Sequence, residues 1–309
     1  METVLRTRGL TKRFGSLVAV DHVDLDVREG EVFGYLGPNG AGKTTTLRLL
    51  CALIAPTSGS AEIAGYRLGR DDAQIRTIVG ILTEQPGLYE RQSAWDNLLF
   101  YGALYGLTRA TARAQAERFL RLMGLWDRKD EPVATFSRGM KQKMAIARAA
   151  LHEPRILFLD EPTTGLDPDA AKTVREFIVA LRETGRTVFL CTHNLDEADR
   201  LCDRIAFFRH HVIRTDTADD LRAELYGRAT EFRILPSPRP EDLARVRAVP
   251  GVHDARLENG SIVVETPDPL RTNPLLVRAL VEGGAEIAFV TERKAHLEDI
   301  YLRIVEGRE

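Results

Sequence analysis

Gly37-Pro38-Asn39-Gly40-Ala41-Gly42-Lys43-Thr44-Thr45 matches the phosphate-loop pattern G-x-x-x-x-G-K-[ST] at each fixed position. Residues 31–36 before it form an apolar stretch of strand length, and residues 44–50 after it carry apolar side chains at helical spacing. Strand, glycine loop and helix together give the pattern its physical meaning. Glycines let the backbone wrap its N–H groups around a phosphate, and the helix N-terminus adds a favourable dipole. Lys43 is then placed to reach the β- and γ-phosphates, and the Thr44 hydroxyl to hold Mg²⁺. An ordinary glycine turn opening a helix would not need every fixed position filled. The stretch predicts binding of a nucleoside triphosphate, ATP or a close analogue.

Three other places in the chain bear on that chemistry. Arg155-Ile156-Leu157-Phe158-Leu159-Asp160-Glu161 is an apolar strand ending in two carboxylates. Asp160 at the strand end is placed to order Mg²⁺, and Glu161 to orient and deprotonate an attacking water; a simple helix cap is the alternative for such a pair. Residues 78–82 predict a buried strand running into Thr83-Glu84-Gln85-Pro86-Gly87, which leaves Gln85 at the C-terminal edge where parallel sheets bind ligands; a solvated loop residue is the alternative there. Phe14 lies between expected strands at 4–8 and 18–27, where an aromatic can stack on an adenine ring or join the core.

The remaining pattern sets the architecture. Residues 93–152 show helix-period apolar positions and no strands, with Ser93 and Ser137 placed as helix caps. Around this insertion run alternating units: strands at 187–191, 205–208 and 212–215, and helices at 169–183 and 194–202. Such alternation predicts an α/β domain with a mostly parallel sheet, preceded by an antiparallel β region. Beyond a helix at 221–228 the order becomes β-α-β-β-α-β, that of a small ferredoxin-like α+β unit, with Asn259-Gly260 as the hairpin turn. Its first helix is expected at 240–246 and its second at 275–281. The expected domains are therefore 1–225 and 229–309. No phosphate loop, carboxylate pair or ligand cluster falls in the second, so no chemistry is assigned to it. Residues 297, 300, 301 and 304 of its closing helix share one apolar face.

Bulk properties exclude several classes. The 309 residues carry a formal charge of −2, so nothing suggests a nucleic-acid footprint. Cys51, Cys191 and Cys202 have no metal-ligand spacing and are expected as buried free thiols. The first residues lack the basic and apolar regions of a signal peptide, and the uncharged run at 98–107 is too short to span a bilayer. A cytosolic chain is expected unless a partner holds it elsewhere.

Phe136-Ser137-Arg138-Gly139-Met140-Lys141-Gln142, with Pro162-Thr163-Thr164-Gly165-Leu166-Asp167 and His193, resembles the ATP-binding cassette (ABC) family of transport ATPases. Signature motif, Walker B glutamate, D-loop and switch histidine all have counterparts in order, over residues 1 to about 225. The Ser-x-Gly-Met signature, Glu161-Pro162-Thr163 and the closing Leu297-Glu298-Asp299-Ile300-Tyr301 resemble the branch serving drug, lipid and ion exporters of the daunorubicin-resistance type. The resemblance implies that Phe14 stacks on adenine, and that Gln85 senses the γ-phosphate and Mg²⁺ at the interface with a membrane subunit. It implies that Ser137 and the Gly139 N–H grip the γ-phosphate held by an opposite subunit, that Asp167 contacts the other phosphate loop, and that His193 bonds the γ-phosphate. It also implies a head-to-tail dimer with itself or a paralogue, an integral membrane permease as partner, and a place on the inner face of the cell membrane. An importer ATPase with a regulatory tail, or a soluble cassette protein acting on ribosomes or DNA, are the alternatives.

Leu88, Tyr89, Trp95 and Leu98 follow Gln85, in the region that in the family faces the permease, although Trp95 also suits a core position. Arg138 stands where the first of two signature glycines is common, and Met140 where Gln is usual. His210-His211 replaces a usual glycine turn between strands, a pair that suits a solvated turn or, more rarely, a metal.

Overall fold

The computed structural model describes residues 2–83, 87–226, 229–293 and 296–306. It divides into two compact units, Met1–Asp216 and Thr217–Glu309. The helix Ala218–Tyr226 thus groups with the second unit, where it packs against the closing helix Leu297–Glu306.

A six-stranded sheet centres the first unit, in the order His211–Asp216, Arg204–Arg209, Val32–Leu36, Thr187–Thr192, Ile156–Asp160, Val79–Leu82. Every neighbouring pair is parallel except the first. The central strands Val32–Leu36, Ile156–Asp160 and Thr187–Thr192 are buried at each position, as a parallel sheet covered on both faces requires. Alternate residues serve different cores, because side chains alternate across a strand. Leu157, Leu159, Val188 and Leu190 pack with the helical insertion. Phe158, Phe189 and Cys191 pack instead with Phe33, Tyr35 and the phosphate-loop helix.

That helix spans Lys43–Leu50 and the insertion contains Ala94–Leu104, Arg109–Leu122 and Arg138–Ala150. Ser93 and Ser137 cap two of them, accepting from the Asp96 and Met140 N–H groups. Beside the main sheet lies an antiparallel one, ordered Leu17–Arg28, Thr3–Phe14, Ser58–Ile63, Tyr66–Arg67. Its long pair outruns the strands expected at 4–8 and 18–27, since cross-strand pairing continues through the polar ends to Phe14 opposite Leu17. Ile78 ends the helix Asp72–Ile78 and the strand begins at Val79. That helix buries only Ile75, too little apolar repetition to betray it in the sequence.

In the second unit, strands pair in the order Asp254–Glu258, Ser261–Glu265, Ala229–Leu235, Glu286–Arg293, all antiparallel. With helices Pro240–Arg247 and Pro269–Glu282 between strands, this is the ferredoxin-like order. Asn259 (φ 49°) and Gly260 (φ 79°) both adopt the left-handed backbone of a type I′ hairpin turn. The second helix starts well before the expected residue 275. Asp268 caps it, Pro269 needs no acceptor in a first turn, and Pro274 is accommodated inside. Leu297 and Ile300 of the closing helix are buried, as the apolar face predicts.

Candidate functional site

The glycine loop owes its form to two close approaches. A Cβ on Gly37 would lie 2.1 Å from the Phe208 carbonyl oxygen, and one on Gly42 (φ 104°) 2.1 Å from that of Ala19. Only glycine allows the loop to sit this tightly on its neighbours. Gly42 then opens the helix Lys43–Leu50 without a side-chain cap, leaving first-turn N–H groups for an anion.

The loop borders a cavity of about 880 Å³. Lys43 is buried within it, its Nζ donating to Gly37 O at 2.6 Å and Pro38 O at 3.2 Å, with Glu161 Oε1 at 3.5 Å. Thr44 Oγ1 donates to Asp160 Oδ2 at 2.7 Å. His193 Nδ1 lies 2.9 Å from Glu161 Oε1. Glu161 itself takes a left-handed backbone, φ 49°, and its N–H donates to Cys191 O at 2.9 Å. This sparsely populated conformation for a non-glycine residue turns the carboxylate off the strand end into the cavity.

Pro38, Asn39, Gly40, Ala41, Thr45 and Phe14 join the lining; Phe14 is 51% exposed, with Lys12 Nζ 5.1 Å from its ring centroid. Phe14 therefore stays out of the core. Ser137, Gly139 and Asp167 stand outside this lining. Asp167 caps the helix Pro168–Glu183 by accepting from Ala170 N at 2.8 Å, and a Cβ on Gly139 would sit 3.3 Å from Asp167 Oδ2. The Ser137 oxygen accepts from Met140 N–H at 3.2 Å and keeps its own hydrogen to donate. Gln85 lies outside the described residues.

Several side chains around the carboxylate were assigned no role by the sequence. Thr164 Oγ1 donates to Glu161 Oε2 at 3.0 Å, and the Thr192 hydroxyl lies 3.5 Å from the same oxygen. Thr192 also donates to the buried Glu197 at 3.3 Å, whose carboxyl burial pushes above its usual range. Their adjacency to Glu161 and His193 is the only clue the sequence offers. His210 borders the cavity, its N–H donating to Ala41 O at 3.0 Å. Among the described residues no group of three His, Cys, Asp or Glu could hold a metal. Cys51 and Cys191 are buried, and burial raises the pKa of all three cysteine thiols, so none is a reactive thiolate.

In this arrangement a cation, a carboxylate pair and an imidazole converge on a space bounded by phosphate-binding backbone. That suits phosphoryl transfer to water. Among the described residues no helix is long and apolar enough to cross a membrane.

Known proteins match this picture. The family described as ABC transporter matches residues 20–164. The bacitracin transport ATP-binding protein BcrA of Bacillus licheniformis is 33% identical over 308 residues, 99% of each chain. The daunorubicin resistance ATP-binding protein DrrA3 of Streptomyces coeruleorubidus is 36% identical over 98% of this chain and 96% of its own. Among solved structures, a post-hydrolysis dimer of the ATP-binding cassette MJ0796 with ADP and Pi superposes with a TM-score of 0.63 at 26% identity, covering 69% of this chain and 98% of that one. With both relatives matching over nearly its whole length, the chain belongs to the ABC transporter family, among its ATP-binding, ATP-hydrolysing subunits.

Proposed function

We propose that the chain is the motor subunit of an exporter, hydrolysing Mg²⁺-ATP between two subunits arranged head to tail, each a copy of this chain or a paralogue. Convergence of Lys43, Asp160, Glu161 and His193 on one cavity, with Ser137, Gly139 and Asp167 outside it, carries this reading. A subunit that holds its own nucleotide with the first set has the second free for a partner's.

The Thr44 hydroxyl and Asp160 carboxylate are adjacent hard oxygen ligands, which fit Mg²⁺ alongside phosphate oxygens. Held by these two groups, Mg²⁺ would supply charge neutralisation at the phosphates. Lys43 neutralises further charge and the Gly40–Thr45 backbone orients the phosphates. Glu161 takes the proton from the attacking water, and Thr164 and His193 hold its carboxylate in place. Phe14 stacks on the adenine, and Gln85 senses the γ-phosphate and metal. Ser137 and the Gly139 N–H close on the γ-phosphate from the opposite subunit, while Asp167 meets the opposite loop.

Residues 1–225 carry this chemistry and residues 229–309 form an accessory domain. An integral membrane permease holds the complex at the inner face of the cell membrane, meeting the exposed Tyr89, which packs edge-on against Phe100. The relatives' names, a bacitracin transporter and a daunorubicin resistance protein, favour export of a small molecule, lipid or ion. The test is purification of the chain from membranes. A co-purifying multi-span membrane protein and ATP hydrolysis are expected; ribosomal or DNA partners would overturn the reading.

A further inference from the structure

Arg138 is the first residue of the helix that Ser137 caps. Its guanidinium has a specific seat. A Cβ built on Gly165 would lie 2.6 Å from each of Arg138 Cζ, Nη1 and Nη2, so the planar group rests flat on that glycine. From there Nη2 donates to Thr164 O at 3.3 Å. Thr164 in turn donates its hydroxyl to Glu161 Oε2 at 3.0 Å, and its N–H to Glu161 O at 3.3 Å. One residue thus separates Arg138 from the carboxylate at the centre of the cavity.

Other side chains of the same helix touch the segment after Glu161 at different points. Gln142 Nε2 donates to Pro162 O at 3.1 Å, and Gly139 faces Asp167. Of these contacts, it is Arg138 that reaches Thr164. A glycine at 138 could not make this contact, and a lysine ammonium could not lie flat on Gly165.

We propose that Arg138 is a positioning residue for Glu161, latching Thr164 and Gly165 to the signature helix of its own subunit. The inference rests on Glu161 being the base proposed above. Because Arg138 also lines the nucleotide cavity, a direct phosphate contact is the rival role, and the two differ in kinetics. A positioning residue changes kcat; a phosphate ligand in the ground state changes KM.

Steady-state ATP hydrolysis by the full-length chain tests it, using Arg138→Gly, Arg138→Lys, Gly165→Ala and the double variant Arg138→Gly/Gly165→Ala. Arg138→Gly should lower kcat by about tenfold, less than the ~10²-fold of a full ångström's misplacement, with KM for ATP unchanged. Arg138→Lys should not restore the rate. Gly165→Ala evicts the guanidinium from its seat and should also lower kcat. Its left-handed backbone (φ 71°) adds a separate strain that is present in both backgrounds and cancels in the cycle. The double variant should therefore fall short of the product of the single effects. Independent, multiplicative effects would overturn the latch, and so would a raised KM at unchanged kcat. Failure of the base reading shows differently, as parental turnover in Glu161→Gln. Failure of the latch shows as multiplicative effects while Glu161→Gln remains inactive.

Discussion

Thr44 and Asp160, 116 residues apart in the chain, are joined by a hydrogen bond of 2.7 Å between hydroxyl and carboxylate. The pair joins the first turn of the phosphate-loop helix to the C-terminal end of the buried strand Ile156–Asp160, on whose sheet the helix packs. Asp160→Asn keeps the shape and can still accept from Thr44, but removes the charge that would attract a divalent cation. Apparent Mg²⁺ affinity in the ATPase assay should fall by more than the about 10–100-fold typical of outer-shell partners. A Mg²⁺ titration superimposable on the parent's would remove Asp160 from the metal site.

Glu161→Gln preserves the side-chain shape and the Thr164 contact but cannot take up a proton. Loss of a general base costs about 10²–10⁴ in rate. The variant should bind ATP normally, turn over at that reduced rate, and accumulate as an ATP-bound dimer in sedimentation. A parental rate would mean that another group activates the water.

Lys43→Ala and Ser137→Ala should separate binding in one subunit from binding across two. Lys43 is buried in the cavity, and its removal should weaken ATP binding by the isolated subunit. Ser137 lies outside the cavity lining, so Ser137→Ala should leave that binding intact while lowering dimerisation and hydrolysis. Equal loss of nucleotide affinity in both variants, measured by equilibrium binding, would contradict a signature that acts across the dimer.

Tyr89 is 46% exposed and leans on the half-exposed Phe100, whereas Trp95 packs edge-on against Trp126 beside the core. Tyr89→Asp should therefore uncouple transport from hydrolysis while basal ATPase and the thermal midpoint persist. Loss of folding in a melting curve would make Tyr89 a core residue instead.

Asp242 offers a pH-dependent stability test in the second unit. Its buried carboxylate accepts from Arg239 N at 2.9 Å, Nε at 3.0 Å and Nη2 at 2.8 Å. The Arg239 hydrogen bonds hold its pKa below the ordinary 3.8, against the opposing effect of burial. A carboxyl with a lowered folded pKa contributes stability above its unfolded value and loses it as pH falls through the folded one. Asp242→Asn should cost about 1.5–3 kcal/mol at neutral pH, the usual range for hydrogen bonds to a charged group. The gap between variant and parent should close below pH 4. A gap that persisted unchanged at low pH in denaturant melts would show that shape, not charge, was lost.

Features that depend on neighbours along the chain are legible in the order of residues. A phosphate loop needs glycines beside a strand and a helix, so residues 31–50 announced their structure and their ligand class together. Caps at Ser93 and Ser137, the Asn259-Gly260 turn and the carboxylates closing Ile156–Asp160 are likewise local matters of backbone shape and donor supply. Where local repetition is thin, a helix leaves no mark in the sequence: Asp72–Ile78 buries one apolar residue, and the helix from Pro269 rests on the Asp268 cap ahead of its apolar face. Tertiary structure alone decided which distant groups meet. Sheet order sets Val32–Leu36, Thr187–Thr192 and Ile156–Asp160 side by side, and that adjacency brings Lys43, His193 and Glu161 within a few ångströms. Thr164 reaches Glu161 through a local turn, three residues along the chain, but the Thr192 contact and the seat of Arg138 on Gly165 follow from the same layering. No spacing encodes them, because strand pairing and helix packing join residues by position in space, whatever their separation along the chain.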